Sequence, residues 1–286
     1  MEQRRIGDMT VSAIGLGAMP LSTKEPRPAE EDAVAVVHAA LDAGVTLIDT
    51  ADAYSRDEAE FGHNELLVAR ALAAYGPGAR DVLVATKGGH TRSGTDWGLD
   101  GSAAYLRRAC EGSLRRLGVE AIGLYQFHRP DPATPWEESM GALRELADDG
   151  LVRTVGISNA DVAQIDVARS IVGDALVAVQ NQFSPAYRSS AGELTHCAAH
   201  GLAFLPWSPF GGVTAAGSLG ATAPAFAEVA GELEVSVYQV TLAWHLAQSD
   251  VVVPIPGASR PASIRDSAAA THVSLTDDQL ARLDRR

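Results

Sequence analysis

Four side chains capable of acid–base chemistry stand at or just beyond the ends of apolar runs: Asp49 after Leu-Ile, Lys87 after Val-Ala-Thr, His128 after Gln-Phe, and Tyr54 five residues past Asp49. Charges at such positions are costly to bury unless paired, and three of them gathered on one rim are hard to explain by packing alone. A tyrosine is a poor acid near neutrality, its ordinary pKa being about 10. A Lys87 ammonium beside Tyr54 favours the phenolate and is expected to lower that value. Asp49 would pair with Lys87 and hold its charge, and His128 would hydrogen-bond a substrate oxygen. General acid assistance of this kind is worth about 10²–10⁴ in rate. A carbonyl oxygen that accepts a proton must gain electrons at carbon, so the set calls for a hydride donor. Taken alone, Asp49–Lys87 has about a one-in-three reading as a structural ion pair, and His128 alone reads more often as a core histidine; together they read as an active site.

These residues have to be held by regular elements. Short β-branched runs alternate along the chain with longer segments of helical spacing. Strands are predicted at 14–17, 45–49, 82–87, 123–128, 153–158, 176–180, 203–207 and 251–255, many of them nearly continuous apolar runs as in parallel sheets covered on both faces. Helices are predicted at 30–43, 64–74, 102–117, 136–149, 161–171, 191–200, 225–233 with 236–247, 261–270 and 276–283. Ser102 reads as a cap, Gly118 and Gly150 follow helix ends, and Pro135 reads as a first-turn residue. Eight strand–helix units predict an α/β fold, a (β/α)8 TIM barrel forming a single domain over 1–286, with chemistry at the C-terminal strand ends. A doubly wound sheet would carry a glycine fingerprint after its first strand; Gly15-Leu-Gly17 lacks the third glycine. Residues 1–9 are expected to form a small hairpin that plugs the barrel bottom.

Composition narrows the partners. A net charge of −13 argues against nucleic acid, and 46% hydrophobic with 21% charged residues is ordinary for a globular enzyme. Cys110 and Cys197 form no paired motif, which suits a reducing compartment, and Cys110 reads as a small apolar residue on a helix face. The opening MEQRRIGDMTV holds no apolar core of signal-peptide length, and no run reaches the roughly 20 apolar residues of a membrane span. A cytoplasmic protein without membrane partners is expected.

The sequence resembles the aldo-keto reductase superfamily over almost its whole length, including short-loop branches akin to the potassium-channel beta subunits. The matching segments are Leu47-Ile-Asp-Thr-Ala-Asp-Ala-Tyr54, Ala85-Thr-Lys-Gly-Gly89, Leu124-Tyr-Gln-Phe-His-Arg-Pro-Asp131, Val155-Gly-Ile-Ser-Asn159, Val179-Gln-Asn-Gln-Phe-Ser-Pro185, Pro206-Trp-Ser-Pro209 and Val253-Pro-Ile-Pro-Gly257. The resemblance places the family's catalytic Asp, Tyr, Lys and His on Asp49, Tyr54, Lys87 and His128. It implies reduction of an aldehyde or ketone with NADPH, NADH being the less favoured cofactor. Ser158, Asn159 and Gln180 would hold the nicotinamide carboxamide and Trp207 would stack on the ring. Ser208, Phe210 and Gly211 would follow the pyrophosphate. In the segment from Gly257, Ser259 and Arg260 to Ser263, Arg260 suits a 2′-phosphate because a guanidinium meets it with two donors. Asp266 and Ser267 stand where the family has Glu and Asn at the adenine, and Ser263 where some branches have a second Arg; both departures weaken the implied grip.

Other features have plainer readings. Met19, His90, Trp97 and Arg129 are candidate substrate contacts, although His90 and Trp97 read equally as cover for an apolar loop and Met19 as a gap-filling core residue. His196 and His200 lie four apart with Glu193 near, but no further ligand is evident, so a solvated helix face is expected and no metal site. Arg107-Arg108 and Arg115-Arg116 read as a solvated face paired with carboxylates. The segment 210–224 reads as a short loop folded loosely over the cofactor. Little chain follows the last helix, so an open, permissive site is expected, in a monomer. Two rival functions use the same barrel: a nicotinamide-sensing regulatory subunit, and an isomerase or aldolase with Lys87 as Schiff-base nucleophile.

Overall fold

Turn chemistry at Gly7 starts the chain as an antiparallel hairpin. In the computed structural model, which describes residues 1–212 and 214–285, β1 (Gln3–Ile6) pairs with β2 (Met9–Ser12). A side chain at Gly7, where φ is +60°, would meet Val177 at 2.8 Å. Ile6 and Val11 are buried with Leu47, Leu83, Leu124, Val177 and Val253, so the hairpin seals the end of the sheet from which the strands begin.

Seven parallel strands follow: β3 (Leu16–Gly17), β4 (Leu47–Asp49), β5 (Leu83–Gly88), β8 (Ile122–Phe127), β9 (Val152–Ser158), β10 (Leu176–Gln180) and β11 (Ala203–Phe204), neighbours in that order. Between β5 and β8, β6 (His90–Ser93) and β7 (Asp96–Leu99) form a separate hairpin. The predicted last strand, 251–255, is not a regular strand, because Pro254 and Pro256 have no N–H to donate. Their carbonyls nevertheless accept from Gly15 and Gly17 N–H at 2.9 Å, while Val253 and Ile255 N–H donate to the Phe204 and Pro206 carbonyls at 2.9 and 3.3 Å. The segment thereby joins β11 to β3 and completes a (β/α)8 barrel. Pro206 likewise shortens the predicted strand 203–207 to β11.

Helices α1 (Pro20–Thr23) and α2 (Glu30–Asp42) follow β3, and α3 (His63–Tyr75), α4 (Ala103–Leu117), α5 (Trp136–Asp148), α6 (Val162–Val172) and α7 (Ala191–His200) follow later strands. After β11 come α8 (Leu219–Thr222), α9 (Pro224–Leu233) and α10 (Val237–Gln248), then α11 (Pro261–Ala269) and α12 (Asp277–Asp284). Ser102 caps α4 by accepting from Tyr105 N–H. Pro135 is the N-cap of α5 rather than a residue of its first turn. Capping boxes open α6 (Asp161 with Gln164) and α12 (Thr276 with Gln279). The helices cover the outer face of the sheet through residues such as Tyr125, Phe127, Met140, Leu143 and Ile157.

Arg116 departs from the expected solvated face. Arg107 does pair outward with Asp149, but Arg116 turns inward, its Nε 2.5 Å from Oε2 of the wholly buried Glu65, whose Oε1 accepts from Thr86 Oγ1 at 2.5 Å. Gly62 makes room for it: a Cβ there would lie 2.2 Å from Arg116 Cδ.

Barrel closure rests on backbone approaching backbone at Gly17, where an added Cβ would sit 2.7 Å from the Ile255 carbonyl oxygen. Gly17→Ala is expected to destabilise the protein by about 1–3 kcal/mol through overpacking, read as a lower urea midpoint. An unchanged midpoint would mean that the closing segment yields freely.

Candidate active site

The end of β4 supplies Asp49, the end of β5 Lys87, the loop after β4 Tyr54, and the residue after β8 His128. Lys87 Nζ is fully buried and donates to Asp49 Oδ2 at 2.5 Å, the Thr50 carbonyl at 2.9 Å and Tyr54 OH at 3.1 Å. Three acceptors match the three protons of an ammonium. The other Asp49 oxygen accepts from Gln180 Nε2 at 2.8 Å and Gln126 Nε2 at 3.2 Å. All four predicted residues therefore converge.

Their electrostatics differ in one respect from the expectation. Burial works against the Lys87 ammonium, but Asp49 and then Tyr54 outweigh it and hold its pKa above the ordinary value. For Tyr54, burial pushes the hydroxyl up, and this exceeds the lowering by Lys87, with Asp49 and Asp52 adding to the rise. The expected depression is overturned because a phenolate here would be desolvated next to two carboxyl groups. Asp52 is itself a buried carboxyl group, held well above the usual range by burial and then by Glu65. His128 is pushed well below its ordinary value by burial, then by Lys87, His90 and Arg129. Its ring packs edge-on against Tyr54 and His90, with centroids at 5.6 and 4.3 Å.

Tyr54 and His128, 7% and 9% exposed, open onto a cavity of about 350 Å³. Met19, Trp97 and Arg129 also line it. Trp97 is 46% exposed and carries the Arg92 guanidinium 4.2 Å from its ring centroid. His90 does not line the cavity; its Nδ1 lies 3.0 Å from the Gly98 carbonyl, and the ring is wedged against Trp97 and His128.

Ser158, Asn159, Gln180 and Trp207 line the middle of the cavity. Ser158 Oγ donates to the Gln180 carbonyl at 2.7 Å, and Asn159 Nδ2 donates to Ser158 Oγ and the His128 carbonyl, each at 3.0 Å. Asn159 and Ser208 hold positive φ, +61° and +51°, a costly conformation for non-glycine residues. Gln180 spends its side-chain NH2 on Asp49 and Gln126, while its side-chain Oε1 has no hydrogen-bond partner among the described residues and can accept.

Ser208, Phe210, Gly257, Ser259, Arg260 and Ser263 also line the cavity. Gly212 rather than Gly211 lines it. Ser267 is buried and off the cavity, and Asp266 is turned away from it, accepting from Ser236 Oγ at 2.7 Å and Gln239 Nε2 at 2.6 Å at the start of α10. Within the predicted loop 210–224, Val213 lies outside the described residues; the rest includes a 3-10 turn at Ala216–Ser218 and α8, with Ala216 on the cavity wall. Lys24 is the residue that sequence reasoning missed: it lines the cavity and donates to Ser259 Oγ at 2.9 Å. Its signal was rarity, since Lys24 and Lys87 are the two lysines among 286 residues. Amide groups of Asn159 and Gln180 together with the Lys24 and Arg260 cations and serine hydroxyls on one cavity wall fit a nicotinamide dinucleotide.

The Aldo/keto reductase family model matches residues 13–286. The chain belongs to the aldo/keto reductase family and is an oxidoreductase. Among curated relatives, a 6-dehydroglucose reductase of Novosphingobium aromaticivorans is 37% identical over 273 residues, covering 93% of this chain and 88% of that protein. Among solved structures, a glycerol dehydrogenase from Gluconobacter oxydans superposes with a TM-score of 0.85 at 29% identity, over 99% of this chain and 94% of that one. An aldo/keto reductase from Klebsiella pneumoniae in complex with NADP and acetate gives 0.82 at 26% identity, with the same coverage.

The lowered pKa of His128 fixes a sign. The unfolded chain takes up a proton near 6.5 that the folded site refuses, so the stability His128 contributes is complete above that pH and is lost as pH falls toward the folded value. In histidine-labelled protein, the NMR signal removed by His128→Gln is expected to stay at its neutral position between about pH 8 and pH 6. A midpoint near 6.5 would refute the burial argument. Lys24→Met and Arg260→Met are each expected to weaken NADPH about tenfold or more while changing NADH little; equal losses for both cofactors would mean that these residues do not meet an extra phosphate.

Proposed function

We propose that this protein reduces an aldehyde or ketone to the alcohol with NADPH, Tyr54 serving as proton donor. The observation that carries this reading is the Lys87 ammonium, 2.5 Å from Asp49 and 3.1 Å from Tyr54 at the mouth of a cavity. The raised pKa keeps Tyr54 protonated until it is needed. As negative charge grows on the substrate oxygen, Tyr54 passes its proton across and the nascent phenolate is met by the ammonium already in place. Asp49 keeps that ammonium charged and immobile. His128 stays neutral, and because its Nδ1 is buried without a partner among the described residues, the environment assigns its proton to Nε2, from which it donates to the same oxygen. When bound, the reduced nicotinamide supplies the hydride to the carbonyl carbon.

Ser158, Asn159 and Gln180 orient the carboxamide, Trp207 covers the ring, and Lys24, Ser259 and Arg260 take the 2′-phosphate, which favours NADPH over NADH. The NADP complex of the Klebsiella relative supports this choice. Trp97 and Arg129 bound the substrate, with His90 bracing Trp97. The regulatory-subunit reading is not favoured, since the four acid–base residues are assembled and relatives are named as a reductase and a dehydrogenase. A Schiff base requires a neutral amine, and Lys87 is held as the ammonium by three acceptors.

Loss of NADPH absorbance with a panel of aldehydes and ketones tests the proposal. Tyr54→Phe is expected to reduce turnover by about 10²–10⁴ with NADPH affinity unchanged. Turnover that survives the substitution would remove Tyr54 as donor, and tight NADPH binding without turnover in the wild type would favour the sensor.

A further inference from the structure

On the outer ring of helices, away from the cavity, α6 and α7 pack side by side and bring together three metal-ligating side chains. We propose that Asp166, His196 and His200 form a binding site for one borderline divalent cation, zinc by chemistry, that ties α6 to α7. His196 and His200 stand one turn apart on α7, and their ring centroids are 4.5 Å apart. Asp166 on α6 places Oδ1 2.9 Å from His196 Nε2. One ligand atom from each residue lies within 4.8 Å of the other two. Donors about 2.0–2.1 Å from a tetrahedral zinc ion are roughly 3.3 Å apart, so the pair at 2.9 Å is already near bonding separation. Closing the site requires His200 to turn its ring toward the other two ligands, and His200 is exposed.

The donor set selects the cation. Two imidazoles and one carboxylate suit zinc, nickel or copper and disfavour calcium and magnesium, which take oxygen ligands. Three protein ligands leave a fourth position for water. Arg169 competes, with Nη1 3.2 Å from Asp166 Oδ1, but that exposed pair is worth little, and Asp166 Oδ2 has no hydrogen bond among the described residues. Glu193 lies on the same face of α7, three residues before His196, and its buried Oε2 lacks a partner among the described residues; its charge adds to the local attraction for a cation. The ion's role is structural, since none of the three ligands lines the cavity.

The test is calorimetric titration of the metal-stripped full chain with zinc chloride, comparing wild type, His200→Ala and Asp166→Asn. Binding of one equivalent is expected, weakened about tenfold or more in each variant, with a zinc-induced rise in Tm that His200→Ala abolishes. Cobalt(II) in place of zinc is expected to give the visible absorption of a tetrahedral complex in the wild type only. All three ligand side chains are partly or well exposed, and unchanged circular dichroism verifies that the variants fold. Absence of a stoichiometric site in the wild type, or equal affinity in all three proteins, would overturn the proposal.

Discussion

The buried cation of Lys87 is the constraint around which the molecule is arranged. An ammonium removed from water is tolerable only when its charge is balanced and every proton has an acceptor. Asp49, the Thr50 carbonyl and Tyr54 meet that demand, and each stands at a fixed place because β4 pairs with β5 in a register that sets Asp49 against Ala85. The second Asp49 oxygen is held by Gln126 from β8 and Gln180 from β10. One ion pair therefore depends on four strands keeping their relative heights. Losing one partner of such a pair costs about 3–5 kcal/mol, which links the proposed chemistry to the integrity of the sheet.

The charge distribution follows the same logic on a larger scale. A chain with a net charge of −13 repels phosphate in general, so a phosphate-bearing cofactor needs a local exception. In the proposed function Lys24 and Arg260, which both line the cavity, would provide it, on elements that flank the closing segment. Where Tyr54 and His128 meet the cavity, burial favours the neutral form of both, the Tyr54 pKa being raised and the His128 pKa lowered.

Closure of the barrel and shape of the cavity are one problem. The segment with Pro254 and Pro256 cannot form a full ladder, yet its carbonyls and alternate N–H groups reach both neighbouring edges. Gly17 and Gly257 permit the close approach: a Cβ at Gly257 would meet the Pro20 ring at 2.8 Å. Both glycines also line the cavity. The joint that closes the sheet is thus also a wall of the proposed cofactor channel.

The alternation of apolar runs and helical segments was enough to read the barrel and most helix limits, because burial on both faces of a parallel strand leaves a run of β-branched residues that few other structures need. The four acid–base residues were legible for a related reason: a charge ending an apolar run must be paired. Residue type alone could not weigh burial against a neighbouring charge, so the direction of the Tyr54 shift was decided by the fold. Lys24 reaches Ser259 across 235 positions, Arg116 turns in to Glu65 through space left by Gly62, and Asp266 faces α10 instead of the cavity. Asp166 comes to His196 from another helix. No local pattern encodes such meetings: they arise from how helices settle on the closed sheet, and only the tertiary structure sets that.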